Sequence, residues 1–470
     1  MLDYFGGIEV DRRFGRLSKA IVLVVLILSA VQFALAQNSG ASPSSGPQIA
    51  TKINEYMNAA VKSDDYSGAI LVARNGQPII SQGYGMANLE LDVPNTPQTV
   101  FSIGTFTGKF TMMAVMMLQE RGKLNLNDSI CRYLPDCPAI WQPVTIRHLI
   151  THTSGIQNFM LFPDFEQAMA LPTPQAMMLE RLKSRPLEFA PGEKFNSSNS
   201  GYYLLGVIVE RVSGKSYADF IRENIFAPLG MTHTDYNDRR IVKNRASGYS
   251  IINDKLTNAL YVDSSVFFSA GAVYSTTEDL LRYDNALYTE KLVSRRAVEE
   301  INAFGRAAGY GERITQLFTH PLIRYYDGFY GFQCHVTRFP DDRAVIIILT
   351  NRGFGKQDKY VRDIAAMLFG EYKPPQEIKE VVIDRTILDR YVGEYEFAPG
   401  RTIIIGMENG RLTMQANLRP KRELIAVSET KFVLKVNTEA YITFERDSSG
   451  RITGLVLHEI SSAIPAQKIR

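Results

Sequence analysis

The sequence predicts an α/β domain followed by a small all-β module, with an export leader ahead of both. Three observations carry this. Strand-like and helix-like stretches, punctuated by Pro and Gly, run from about residue 49 to 375. After Lys373-Pro374-Pro375, short strand-like segments recur about every ten residues. An apolar run, IVLVVLILSAV at 21–31, follows a basic stretch near the start. Composition agrees. A chain of 470 residues exceeds one ordinary core and implies about two or three domains. Hydrophobic residues at 45% and charged residues at 21% fit a folded soluble protein, not a disordered or multi-spanning one.

The leader carries Arg12, Arg13, Arg16 and Lys19, then the apolar run, then Ala34-Leu35-Ala36 before Gln37. This is the layout of a secretory signal peptide over residues 1–36, and it implies a secreted or periplasmic protein. The alternative is an uncleaved anchor, but the apolar run falls short of the ~20 residues a spanning helix needs. Membrane contact is therefore expected only through the leader, if it stays attached. Its removal takes away four basic residues and three acidic ones (Asp3, Glu9, Asp11), leaving 434 residues with net charge +2. Export permits disulfides. Cys131 and Cys137 can pair across CRYLPDC, leaving Cys334 alone, but three free thiols fit the sequence equally well.

Residues 37–48 read as a Ser/Gly/Pro linker. Helical periodicity follows in IATKINEYMNAAV, then AILVARNGQPIISQGYG reads as two strands joined at Asn75-Gly76. From 105 to 121, TFTGKFTMMAVMMLQER is apolar nearly all round and ends at Gly122, which predicts a buried helix. Its methionines are core filler. A strand pair is expected in FYGFQCHVTRF and DDRAVIIILTN. Beyond 375 the segments YVGEYEF, RTIIIG, RLTMQA, ELIAV, KFVLKV, AYITFE and ITGLVLH predict a sandwich or barrel over 376–470.

Generic chemical signals are few. The chain has no Gly-x-Ser-x-Gly elbow, no Walker loop and no His-Glu-x-x-His. His148 and His152 stand at i, i+4, but Leu149 occupies the place of the general base. With six histidines and three cysteines lacking Cys-x-x-Cys spacing, no metal site and no cofactor are expected. Lys and Arg (52) nearly balance Asp and Glu (49), and no basic patch interleaves with aromatics, so no nucleic-acid partner is expected. No sequence feature specifies an oligomeric state.

A series of phrases in fixed order does stand out: FSIGTFTGKFT (101–111), TIRHLITHTSGI (145–156), PGEKFNSSNSGYYLLG (191–206), FAPLGMTHT (226–234), SAGAVYSTTEDLLRY (269–283) and VIIILTNRG (345–353). Together they resemble the serine β-lactamase-related family, which includes class C β-lactamases, D-alanyl-D-alanine carboxypeptidases and related esterases. The resemblance covers about 50–370. It implies a β-lactamase/transpeptidase-like domain over 49–375, an antiparallel sheet flanked by helices with a helical subdomain. The β module resembles the lipocalin-like domain often appended to such proteins. In the family, a Ser at a helix start and a Lys one turn later share a proton, so that the desolvated amine serves as base. A Tyr-x-Asn or Ser-x-Asn motif assists. A Lys-Thr-Gly or His-x-Gly strand binds the substrate, and backbone N–H groups stabilise the oxyanion.

Laid on Ile-Gly-Ser-x-x-Lys-x-Phe-Thr, this sequence puts Thr105 at the nucleophile and Gly108 at the lysine. Thr105 keeps a hydroxyl, though a β-branched one with restricted rotamers. Lys109, at i+4, is rotated about 40° from Thr105 and can reach it. Alternatively it fills the polar position usual after the motif lysine and points elsewhere. Ser197 stands where the Tyr of Tyr-x-Asn would be, Asn199 is kept, and Ser197-Ser198-Asn199 also reads as Ser-x-Asn or simply as a helix N-cap. Counting back from Gly331-Phe332 sets Tyr325-Tyr326-Asp327 on His-x-Gly. A shift that gives Gly328 the glycine position leaves Tyr326 at the histidine, and neither register restores the motif.

Two functions follow. One is a family member with impaired or absent acyl transfer, which holds a small-molecule or peptide ligand in its cleft. The other is an active amide or ester hydrolase with Thr105 as nucleophile, Lys109 as base, and Ser197 and Asn199 assisting. Coordinated change at the nucleophile, base, Tyr and third-motif positions favours the first.

Overall fold

The computed structural model describes residues 45–63, 66–238, 240–252, 255–308, 315–353, 357–374, 379–398, 400–416, 421–435, 437–459 and 462–470. The leader at 1–36 lies outside the described residues. The chain divides into two compact units between Lys373 and Pro374.

The first unit opens with helix α1, Gly46–Lys62, whose buried stripe is Ile49, Ile53, Met57 and Ala60. It starts three residues before its apolar periodicity. The Ser45 N–H donates to Gln48 Oε1 at 3.1 Å, and Pro47 sits in the first turn, where a missing N–H removes no helix bond. Strands β1 (Gly68–Arg74) and β2 (Gln77–Tyr84) turn at Asn75 (φ 52°) and Gly76 (φ 74°). Both φ values are positive, as the predicted two-residue hairpin requires.

Four later strands, β3 (Thr315–Leu317), β4 (His320–Phe329), β5 (Phe332–Phe339) and β6 (Ala344–Thr350), complete one sheet in the order β3-β4-β5-β6-β1-β2. Every pairing is antiparallel. The central strand β6, AVIIILT, is buried at every position because both sheet faces are covered. Ile347 and Leu349 join the larger core with helix α2 (Thr107–Glu120), while Ile346 and Ile348 pack with α1 and with a helix at Gln357–Phe369. Helix α2 is buried from Thr107 through Leu118, as its all-round apolar sequence requires. It lies against α3, Asn199–Ser213.

The second unit is a closed barrel of eight strands, β7 (Gly393–Ala398) through β14 (Ser462–Lys468), each paired with its sequence neighbour. Seven of these strands are legible in the sequence. The eighth, SAIPAQK, carries Pro465, which argues against a strand. Its seam with β7 involves only Gln467 and Lys468, so the missing N–H of Pro465 removes nothing there. Tyr391, Tyr395, Phe432 and Phe444 fill the barrel interior.

Cys131 and Cys137 form a disulfide, and Cys334 is a buried free thiol. Among the described residues, no helix is long and apolar enough to cross a membrane, and no group of three or more His, Cys, Asp or Glu is placed to hold a metal. The architecture is the α/β sheet-and-helix domain with an all-β barrel that the sequence implies.

Candidate functional site

Thr105 sits on a 3-10 turn, Gly104–Phe106, that feeds directly into α2. Gly104 adopts φ +53°, and a Cβ there would lie 2.4 Å from Asp327 Oδ2 and 2.7 Å from Phe329 Cβ. Only glycine permits strand β4 to approach this closely. The approach brings Asp327 onto the nucleophile position, where the Thr105 backbone N–H donates to Asp327 Oδ2 at 2.7 Å. Desolvation pushes the Asp327 carboxyl up to about 6, opposed by hydrogen bonds from the Thr105 backbone, the Thr105 side chain and the Gly328 backbone.

The lysine position is closed. A Cβ on Gly108 would lie 2.8 and 2.9 Å from two ring carbons of Tyr202 on α3. That ring is held at both ends: its hydroxyl donates to the Ile150 carbonyl at 3.2 Å, and its face stacks on His152 with centroids 5.0 Å apart.

Lys109 is 7% exposed, with Nζ 4.0 Å from the centroid of the Tyr325 ring. It shares a small cavity of about 30 Å³ with Thr105, Tyr325, Tyr326, Asp327 and Cys334. Burial, followed by the charge of Arg338, holds its pKa well below the usual lysine range and favours the neutral amine. Arg338 is itself buried and paired with buried Asp284.

Neither Ser197 nor Asn199 lines this cavity. Ser197 is exposed. Ser198, buried, donates its N–H to His152 Nδ1 at 3.0 Å and its hydroxyl to the Ile156 carbonyl at 3.1 Å. Asn199 opens α3 and donates Nδ2 to Met160 Sδ at 2.9 Å. His152 is thus the residue that fixes this segment. Burial, then Lys109, hold its pKa down to about 3. Its spacing from His148 suggested only a metal pattern to be set aside, because a contact across 46 residues has no local signal.

Tyr325, Tyr326, Asp327 and Gly328 lie together on β4. Side chains alternate across the strand, so Tyr325 turns into the core while Tyr326 is 59% exposed. A wider cleft of about 550 Å³ adjoins them, lined by Met160, Tyr326, Asp327, Gly328, Gln333 and His335 among others. Gln333 and His335 lie outside the motif phrases, and sequence reasoning passed over them.

A hydroxyl at the start of a buried helix, facing a strand near the edge of an antiparallel sheet, defines a β-lactamase/transpeptidase-type protein. The family model described as Beta-lactamase matches residues 53–371, and the chain belongs to that family. Residues 379–469 match a domain of unknown function (DUF3471). The chain is 31% identical over 422 residues to penicillin-binding protein 4* of Bacillus subtilis (strain 168), covering 82% of this chain and 91% of that one. It is 26% identical over 309 residues to the teichoic acid D-alanine hydrolase of Staphylococcus aureus, covering 64% and 74%. Its fold is similar to that of the octameric penicillin-binding protein homologue from Pyrococcus abyssi, with a TM-score of 0.62, 22% identity and coverage of 89% and 98%.

Proposed function

We propose that this chain is an exported member of the β-lactamase family that holds a small-molecule or peptide ligand in its cleft and forms no stable acyl-enzyme. The carrying observation is the hydrogen bond from the Thr105 N–H to Asp327. In this family's chemistry that backbone donor is needed by the oxyanion of the tetrahedral intermediate. A carboxylate already bound there competes with the oxyanion and adds like-charge repulsion. The absent motif lysine, its space taken by Tyr202, removes the usual base. The names of the relatives, a penicillin-binding protein and a teichoic acid D-alanine hydrolase, support a ligand from cell-wall material and a location outside the cytoplasmic membrane. The leader supports the same location.

One observation favours the second reading, a modified hydrolase. Lys109 lines the same cavity as Thr105, and its amine is biased towards the neutral form that a base requires. Incubation with a penicillin and with a fluorophosphonate probe, followed by intact-mass measurement, separates the two. The expected result is unmodified protein. A covalent adduct mapped to Thr105 would establish the hydrolase instead.

A further inference from the structure

We propose that an aromatic clasp, Phe329 at the end of β4 against Phe267, closes the cleft over Thr105 and opens locally to give access to it. Thr105 lines the small cavity of about 30 Å³. It lines neither the cleft of about 550 Å³ nor a second cleft of about 270 Å³ that includes Ser102, Arg245 and Tyr261. Phe329 and Tyr330 line both of these clefts, so the turn between β4 and β5 is the wall that separates them.

The wall is continuous. Phe329 lies over the turn that carries Thr105, where a Cβ on Gly104 would come 2.7 Å from Phe329 Cβ. Its ring meets the Phe267 ring edge-on, with centroids 4.9 Å apart. Phe267 in turn packs on Phe159 and Phe165, at 5.3 and 6.1 Å. The Phe159 N–H donates to Ser200 Oγ at 2.9 Å, on the helix that Asn199 opens. The rings thus stand between the nucleophile position and the start of that helix.

Backbone strain flanks both halves of the clasp. Tyr330, beside Phe329, has φ +37°, and Phe268, beside Phe267, has φ +44° with ψ −123°. Bulky side chains avoid this region, and such strain persists only where the surrounding packing holds it. The Phe268 ring is held by Tyr203 and Tyr217, 5.1 and 5.2 Å away, in the core. That half is fixed. Tyr330 is only partly buried, and its ring meets those of Phe329 and Phe267 at 5.4 and 6.4 Å. The β4–β5 turn is therefore the half that moves, because its movement relieves strain as it breaks ring contacts. The clasp goes beyond the binding reading, since it governs access to Thr105 whether or not acylation follows.

Cys334 reports the opening. It is a free thiol, 2% exposed, and it shares the small cavity with Thr105. The native protein is treated with iodoacetamide at rising urea, below the unfolding transition, and labelling is read by intact mass. Local opening gives a labelling rate that is flat in urea, whereas global unfolding gives one that rises steeply. Wild type is expected to show the flat phase. Phe329→Ala is expected to speed that phase by about tenfold, through the lost ring contacts. Phe220→Leu, at a buried ring outside the clasp, is expected to change only the steep phase. Absence of a flat phase in wild type would overturn the clasp. So would a flat rate that Phe329→Ala leaves unchanged or that Phe220→Leu raises equally. Acylation of Thr105 is read as a different mass shift with a different reagent, so either reading can fail while the other stands.

Discussion

The backbone N–H of Thr105 donates to Asp327 Oδ2 across 2.7 Å, joining two residues 222 positions apart. In the register that sets Tyr325-Tyr326-Asp327 on His-x-Gly, the residue at the glycine position thereby occupies the backbone donor of Thr105. Restoring the missing side chains alone should then fail. Thr105→Ser with Gly108→Lys is expected to leave hydrolysis of a chromogenic cephalosporin at background, because Asp327 still holds the N–H and Tyr202 still fills the lysine space. Turnover by that double variant at rates ordinary for the family would show that Asp327 is no obstacle.

Gly108→Ala separates helix propensity from packing. Alanine in a helix interior is favoured over glycine by about 1 kcal/mol, but here its Cβ would meet the Tyr202 ring at 2.8 Å. Overpacking of this kind costs about 1–3 kcal/mol, so the helix gain is offset and a net destabilisation of roughly 0–2 kcal/mol is expected from urea unfolding midpoints. Adding Tyr202→Ala should give less than the sum of the two single losses, since the alanine then fills space the ring vacates.

Asp327 should leave a mark on acid stability. Its folded pKa of about 6 lies above the unfolded value of ~3.9. The folded state therefore keeps a proton between those values that the unfolded state has lost. This contribution to stability is fully present below about pH 4 and is lost as pH rises through about 6. Asp327→Asn should remove that slope and leave the protein about 1–3 kcal/mol more stable than wild type at pH 7, after allowance for partial exposure. Unfolding free energies measured from pH 4 to 8 check this; an unchanged slope in the variant would contradict it.

Lys109 gives the opposite slope. Burial, with Arg338 adding to it, depresses its pKa in the folded state. The unfolded state therefore binds the proton more readily. The contribution to stability is present above the unfolded pKa of ~10.4 and is lost as pH falls towards the folded value. Lys109→Met should flatten the rise in stability between neutral pH and pH 10, measured by chemical denaturation. A steeper rise in the variant would mean that the amine is held charged.

The Cys131–Cys137 bridge closes a short loop, with a sequence separation of 6. Chain-entropy arguments give such a loop about 2 kcal/mol. Replacing both cysteines with serine should lower stability by about that amount. Alkylation of the denatured, unreduced protein should modify one thiol, Cys334, and three after reduction.

Much of this molecule is local and therefore legible. Asn75-Gly76 specifies its hairpin because both residues tolerate positive φ. The unbroken apolar run of α2 specifies burial, and the alternating segments after residue 379 specify barrel strands. The same local signals mislead in two places. Pro47 and Ser45 begin α1 earlier than its apolar stripe does, and Pro465 hides the strand that closes the barrel.

The sequence by itself determined the family, from motif phrases in order, and which residues align with its motif positions, Thr105, Gly108 and Asp327 or Gly328 among them. Tertiary structure alone decided what those residues meet. Asp327 reaches the Thr105 amide, Tyr202 fills the side of Gly108, and Lys109 rests on the face of Tyr325. Each is a contact between residues far apart in the chain. Sheet pairing and helix packing bring them together, and no periodicity or spacing records the result.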